Sequence, residues 1–557
     1  MGLWTVILAA AACAGEPTPP ALAACHSPVQ ALVLSVAADT AIDPQLSDGC
    51  VLFPANASTT DSAEYLVVPQ SVTEAPNFRS SFKLAGGQPG IAAPSIAALF
   101  EAAPASPAQQ FHDGLRLMEQ NRAYPSQPLV VGPAAAAGLA APRVPRAPPV
   151  GDQQTFKVLT NLTTGTLTNV TATAQSVGTH VAIYVDNNAP ASGLSTADFD
   201  KMRSDFDTLL YAVDTAAFGR ESDIDNNGLV VVLMTNVVNQ LVTRLACEST
   251  GYVAGFFFGA DIDPLYAQYY NHGEIFYSMV ADPDSTLSCA HSTTQLKRIV
   301  PVTFIHEFQH MISYNQHVLI NGGHVEVLWL NEGMSHYAEE LGGRAYLAGT
   351  AGLDSVHFCN HVRGDLANLA LYWANPQLQG LVDTSGIGGL AERGAAWLFV
   401  RYLVDRFASD TTIDAAAAVT RQIDQTALTG TQNVTLVTGQ PFAQTVKEWA
   451  LANWVSDLPG FTAPAILKYK HWAFRTAYPR MSATCNPNLP TTFPIVAGAG
   501  AGSSINLAGT MWAGSGAAYY RALQGPSGAG FTLLFSDAKG VQLSAVIKPR
   551  LNVIRIR

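Results

Sequence analysis

The sequence predicts an α+β chain, on three observations. Residues 154–160 and 167–187 alternate apolar with polar side chains and are rich in β-branched residues, as half-buried strands are. Residues 362–475 instead carry apolar side chains at helical spacing. Residues 490–557 return to alternation. The expected order is a sheet-forming part, then a mainly helical part, flanked by β-rich regions.

The 557 residues are 48% hydrophobic and only 13% charged, with a formal charge of −12. An acidic chain lacks the basic field that nucleic-acid binding requires. The low charge density also excludes a long coiled coil.

From the start of the chain, Trp4–Ala12 is an apolar run too short to span a bilayer. It reads as the core of an export signal, although no Lys or Arg precedes it. Ala10-Ala11-Ala12 before Cys13 resembles a bacterial lipoprotein processing site. Residues 1–13 are therefore a signal peptide or lipoprotein signal, and a lipid anchor through Cys13 and an ordinary cleaved signal are both open. The expected location is secreted or extracellular, with a cell-envelope lipoprotein as the variant, and no later run is long enough to cross a membrane.

Residues 14–60 read as a tether with a Cys-clipped segment. Residues 61–150 read as an N-terminal β-rich region, with the strand candidate AEYLVVP at 63–69 and a short helix within 105–123. Its end, 131–150, is an Ala/Pro linker. Residues 151–345 should hold the sheet and the catalytic helix. Within them, 195–219 has helical spacing at Phe199, Met202, Phe206, Leu210 and Val213, with Ser195 as N-cap. Residues 228–237 read as a buried strand. Residues 346–475 should be the helical part, with 391–408 and 442–457 as its clearest helices, and 476–557 a small β domain.

Setting Cys13 aside leaves six cysteines, an even number that suits an oxidising compartment. Sequential pairing gives Cys25–Cys50, Cys247–Cys289 and Cys359–Cys485, one of fifteen arrangements. No pair has the CxxC spacing of a redox site or zinc knuckle.

The chemistry sits in FIHEFQHMI at 304–312. His306 and His310, four apart, share one face of a helix and can present both imidazoles to one zinc ion. Glu307 adjoins them and can reach the water that such a zinc activates, as general base. A catalytic zinc needs three protein ligands and an open position. Residues 329–341 read WLNEGMSHYAEEL, and Glu332 lies far enough downstream for a second helix to return antiparallel. His324 and His336 are the alternatives for the third ligand.

This constellation resembles the gluzincin metallopeptidases, in which HExxH is followed by a Glu ligand on a second helix. The matching residues here are Asn331, Glu332 and Ser335, and the resemblance assigns Glu332 as third ligand. The thermolysin-like pattern places an Asp four residues after that Glu to orient the first ligating His; this chain has His336. More specifically, HEFQHMI followed by WLNEGMSHYAEE is similar to the hyicolysin-type family of secreted bacterial neutral metallopeptidases. That resemblance implies a zincin-like catalytic domain and zinc-dependent peptide hydrolysis, with a polypeptide as substrate. The metzincin pattern does not fit, because Ser313 and Gln316 stand where it needs Gly and His.

Asp223, Asp225 and Asn227 before Gly228 place three oxygen side chains at alternating positions, suited to Ca²⁺ or to a metal-free Asx turn. The EF-hand Glu at the twelfth position is missing, since Met234 stands there. Candidates for an oxyanion donor are His336, Tyr337, His357, His361 and Tyr402. A substrate wall would be an edge strand in 251–259 or 274–280, the second favoured by its place just before the catalytic helix. Two other functions compete with an endopeptidase. One is an inactive metallopeptidase-like binding or adhesion protein, disfavoured by the intact His306, Glu307, His310 and Glu332. The other is a zinc exopeptidase, for which no GxMEN-like amine anchor is present.

Overall fold

The computed structural model describes residues 31–86, 105–125, 147–348, 355–382, 389–516 and 518–557. The expected export signal, Cys13, Cys25 and most of the expected Ala/Pro linker lie outside the described residues. The fold is the expected α+β architecture, a zincin-like domain with flanking β-sheets.

The main body is built on a six-stranded mixed sheet. Its order is Gln153–Asn161, Thr166–Val177, Val181–Asp186, Val230–Met234, Ile275–Ser278, Gly255–Phe257. Val230–Met234 is parallel to both neighbours and buried along its length. Such a strand needs no alternation, and its run of Val and Leu shows none. Gly255–Phe257 closes the sheet as a short antiparallel edge. The substrate wall favoured from sequence, 274–280, is therefore interior, and the alternative at 251–259 supplies the edge. Position before the catalytic helix did not predict order in the sheet, because the chain visits the edge first and then turns inward.

One face of the sheet is covered by helices. Thr196–Asp205 starts on a capping box between Ser195 and Asp198, and continues through a π-turn at Phe206–Leu210 into Tyr211–Phe218. Behind these lie Thr293–Tyr314, which carries the motif, and Leu328–Ala348, which follows it. Ser355–Ala374, Leu390–Phe407, Ile413–Asp424, Gly430–Thr438, Phe442–Val455 and Phe474–Thr484 form the helical part. Trp373, Trp397 and Trp449 are fully buried there. Two disulfides brace the body: Cys247–Cys289, and Cys359–Cys485 across the helical part. Cys50 is also disulfide-bonded.

The strands near the two ends of the described chain interleave. A five-stranded sheet runs Asp39–Ile42, Pro549–Arg555, Ala63–Ser71, Tyr520–Gln524, Gly498–Ala501. A four-stranded sheet runs Asn506–Trp512, Arg79–Gly86, Phe531–Ser536, Cys50–Phe53. Their facing side chains, among them Phe53, Val67, Phe82, Leu533 and Val553, make a second core. The rings of Phe53 and Phe531 stack at 4.5 Å. Ala63–Ser71 is buried on both faces, because Leu66 and Val68 turn away from the sandwich into the main core. There the Gln70 side chain donates to the Val446 carbonyl at 3.1 Å. Among the described residues no helix is long and apolar enough to cross a membrane.

Candidate metal centre

The motif helix begins earlier than its apolar pattern suggests, at a capping box between Ser292 and Gln295. Its aromatic face packs on the helices before it: Phe304 stacks on Phe206 at 4.0 Å and Phe308 on Tyr211 at 5.4 Å. That packing turns His306 and His310 towards Leu328–Ala348. A π-turn at Asn315–Ile320 and a short loop reverse the chain. The second helix then comes in tightly. A Cβ on Gly333 would lie 2.8 Å from the Ala396 carbonyl oxygen, so the residue after Glu332 has no room for a side chain.

The two imidazoles meet with their Nε2 atoms 3.2 Å apart. Their hydrogen-bond partners assign the tautomers. His306 Nδ1 donates to Glu339 Oε1 at 2.7 Å, and His310 Nδ1 donates to Asn331 Oδ1 at 2.7 Å. Each Nδ1 thus carries the proton, and two bare Nε2 lone pairs face one another. Glu332 completes the group, with Oε2 3.6 Å from His306 Nε2 and Oε1 3.7 Å from His310 Nε2. These separations exceed hydrogen bonds but suit ligands that share a cation. Glu332 Oε2 is buried without a hydrogen-bond partner among the described residues. His306, Glu307 and His310 also form a compact buried set of ligand atoms. A divalent cation fits this donor set: two imidazole Nε2 atoms and one carboxylate converge in a buried site.

The electrostatics separate the two imidazoles: burial opposes a charge on His306, but the Glu332 and Glu339 carboxylates beside it outweigh burial and raise its pKa. Burial pushes the His310 imidazole well below its ordinary value, and the Arg116 charge adds to this. Burial would raise the Glu332 carboxyl, but the Arg393 charge and the adjacent His306 and His310 imidazoles hold it well below the usual range. At neutral pH the site therefore presents a neutral His310 and an anionic Glu332, the forms that bind metal. Burial raises Glu307, against the opposing Arg116 guanidinium.

Glu339 and Asn331, which orient the two imidazoles, went unnoticed in the sequence as orienting groups. Glu339 was legible in principle: Glu332, His336 and Glu339 stand at i, i+4 and i+7, one helix face. It takes the orienting role from a position one turn beyond the one at which the thermolysin-like pattern has its Asp. His336 does not orient His306. Its Nδ1 lies 2.9 Å from Asp365 and 3.0 Å from Glu339, and its Nε2 lies 3.9 Å from Glu332. Burial disfavours its cationic form, but the two carboxylates outweigh burial and raise its pKa to about 10.

Of the other candidates, His324 is exposed on the loop between the helices. Tyr337 turns to Arg401, Tyr402 to Glu448 and the Ile466 carbonyl, and His361 to the His357 carbonyl. Among the named oxyanion donors, His336 is the one the structure sets beside the cluster.

The Asp223–Asp225 turn gathers a different third residue from the one expected. Asn227 donates its side-chain NH2 to Asp225 Oδ2 at 2.6 Å, so it acts as a turn residue. Glu274 takes the third place with Asp223 and Asp225. Its Oε1 accepts from Ser222 and from the Ile224 amide, while Oε2 is buried without a hydrogen-bond partner among the described residues.

Comparison with known families and with curated proteins finds no match to this chain. Its classification rests on its own geometry: a buried His306-Glu307-Phe308-Gln309-His310 cluster, set between a mixed sheet and a returning helix, which is the arrangement of a zincin-like metallopeptidase fold.

Proposed function

We propose that the chain is an exported zinc-dependent endopeptidase, related to the hyicolysin-type neutral metallopeptidases. The observation that carries this reading is the pair of bare Nε2 atoms 3.2 Å apart, with the Glu332 carboxylate facing both. His306, His310 and Glu332 hold the zinc. The ion supplies Lewis acidity, which polarises a peptide carbonyl and makes a water nucleophilic at neutral pH. Glu307 removes a proton from the attacking water and returns it to the departing amine. The His336 imidazolium, held by Asp365 and Glu339, stands beside the cluster as the candidate donor to the developing oxyanion. The edge at Gly255–Phe257 is the track on which an extended peptide adds. An exopeptidase would need an anchor for a free terminus, and the sequence offers no amine-binding motif. The intact ligand and base set favours an enzyme over an inactive binding or adhesion protein. The disulfides support export. A cleaved signal or a lipid anchor at Cys13 would serve equally.

The test is Glu307→Gln, assayed for metal content and for cleavage of an end-blocked peptide. Zinc should stay near one per chain while kcat falls on the order of 10²–10⁴-fold. A variant that keeps zinc and cuts at the parental rate overturns the mechanism.

Asp223, Asp225 and Glu274 are proposed to bind Ca²⁺, on the strength of the buried Glu274 oxygen.

A further inference from the structure

Helix Pro107–Gln120 precedes the main body in the chain, yet it lies across the metal centre. Arg116 donates to Glu307 Oε2 at 2.7 Å and to the Phe257 carbonyl at 3.4 Å. Glu119 Oε1 accepts from the Gly259 amide at 2.7 Å, and its other oxygen pairs with Arg116 at 2.5 Å. On the opposite wall, Asp113 accepts from Arg393 at 3.2 Å, and Arg393 in turn lies 3.5 Å from Glu332. Phe111 packs edge-on to Phe256 at 5.1 Å. Just past the helix, Arg122 forks onto Asp263 at 2.7 and 2.8 Å.

These contacts take what a substrate needs. A peptide adding to the edge strand must pair with its outward N–H and C=O groups. The Phe257 carbonyl and the Gly259 amide are held by Arg116 and Glu119, and the Phe257 amide is turned onto Glu307 at 3.0 Å. Of the two oxygens of Glu307, Oε2 is already taken by two donors, which ties the carboxylate to the helix and the strand edge. The side chains of Arg116, Glu119 and Glu307 are 1–2% exposed. Buried charges of this kind are tolerable only while all partners are in place. Loss of the helix would therefore leave Glu307 and the strand edge needing new partners, which water and a peptide provide.

We infer that Pro107–Gln120 is an internal occupant of the substrate cleft, which keeps the centre latent until it is displaced. The inference rests on the peptidase reading and concerns the regulation of that site. A tethered occupant competes at high effective concentration, so dilute substrate loses to it. The opposite role for the same contacts is that Arg116 positions Glu307 for catalysis; the two roles predict opposite signs.

The experiment compares the full chain with Arg116→Met/Glu119→Gln, a pair that removes one charge of each sign. Two readouts are taken: hydrolysis of an end-blocked peptide, and hydrogen exchange at the Phe257 and Gly259 amides. Latency predicts a rate increase on the order of 10–100-fold, with faster exchange at both amides. A synthetic peptide of residues 105–125, added to the variant, should restore inhibition, and the same peptide carrying Arg116→Met should not. A fall in kcat with unchanged exchange overturns the proposal and makes Arg116 a positioning residue. A measurable rate that is the same in both proteins also overturns it. If the amides open but the zinc-loaded variant cuts no peptide, cleft occupancy is upheld and the peptidase reading falls. Should the double variant not fold, Arg116→Lys gives the same test: it keeps the charge, loses the guanidinium fork, and should raise the rate to a smaller extent.

Discussion

Glu339 Oε1 accepts the Nδ1 proton of His306 at 2.7 Å, and so fixes which nitrogen of that ring is free to bind a metal. The same carboxylate lies 3.0 Å from His336. One residue, two helical turns beyond Glu332, thus ties the ligand set to the cationic imidazole beside it. Partners of this kind set the orientation and basicity of ligating histidines.

Replacing Glu339 by Gln should therefore weaken zinc binding roughly 10–100-fold while sparing the fold. Competition with a chelator measures this directly. Asn331→Ala should act similarly through His310, whereas Glu332→Gln should cost both metal and rate. Unaltered chelator resistance in Glu339→Gln would show that the His306 ring is held by packing alone.

Calcium at Asp223, Asp225 and Glu274 should stabilise the protein more at pH 8 than at pH 5.5. Burial raises the Glu274 pKa to about 7, from an ordinary value near 4.5. For a carboxyl whose folded pKa is raised, the stabilising contribution is full below the unfolded pKa. It is lost as pH rises through the folded one. That loss is about 3 kcal/mol for a shift of this size. Calcium takes the place of the missing proton, so its effect on Tm should grow across pH 5–8. Glu274→Gln should remove most of both the pH slope and the calcium shift. Absence of a calcium shift at pH 8 would make the cluster an Asx turn beside a protonated Glu.

Removing the Cys359–Cys485 disulfide by paired Ser substitution should lower stability by roughly 2–5 kcal/mol. The bond joins Ser355–Ala374 to the end of Phe474–Thr484 across 126 residues. Denaturant titration of the oxidised protein and the variant gives the difference, and equal midpoints would show that packing alone holds the two helices.

Gly394→Ala should destabilise the helical part and loosen Arg393. A Cβ there would stand 2.3 Å from the Leu369 amide nitrogen and the Asn368 carbonyl carbon, both backbone atoms. Backbone cannot yield as a flexible side chain does, so the expected cost is about 1–3 kcal/mol. A thermal melt of the variant checks this.

What was legible in the sequence was what helix periodicity converts directly into geometry. A spacing of four positions from His306 to His310 makes a shared face, and an antiparallel return brings Glu332 to it. The Cys247–Cys289 and Cys359–Cys485 pairs also follow the sequential order expected. Contacts made through sheet order were not legible. Glu274 reaches Asp225 because Val231 pairs with Ile275 in a parallel ladder, and no local pattern encodes that pairing. The choice between 251–259 and 274–280 as edge failed for the same reason. Arg116 meets Glu307 from a helix whose spacing says only that one side is apolar.

The interleaved sandwich carries a consequence for biosynthesis. Ala63–Ser71 lies between Pro549–Arg555 and Tyr520–Gln524, so neither permanent neighbour exists until residues more than four hundred positions downstream have left the ribosome. Throughout that interval an apolar nine-residue strand has both hydrogen-bonding edges open, the condition that invites wrong partners. The nascent chain must keep this strand apart from other molecules until residues 520–555 arrive to close the sandwich.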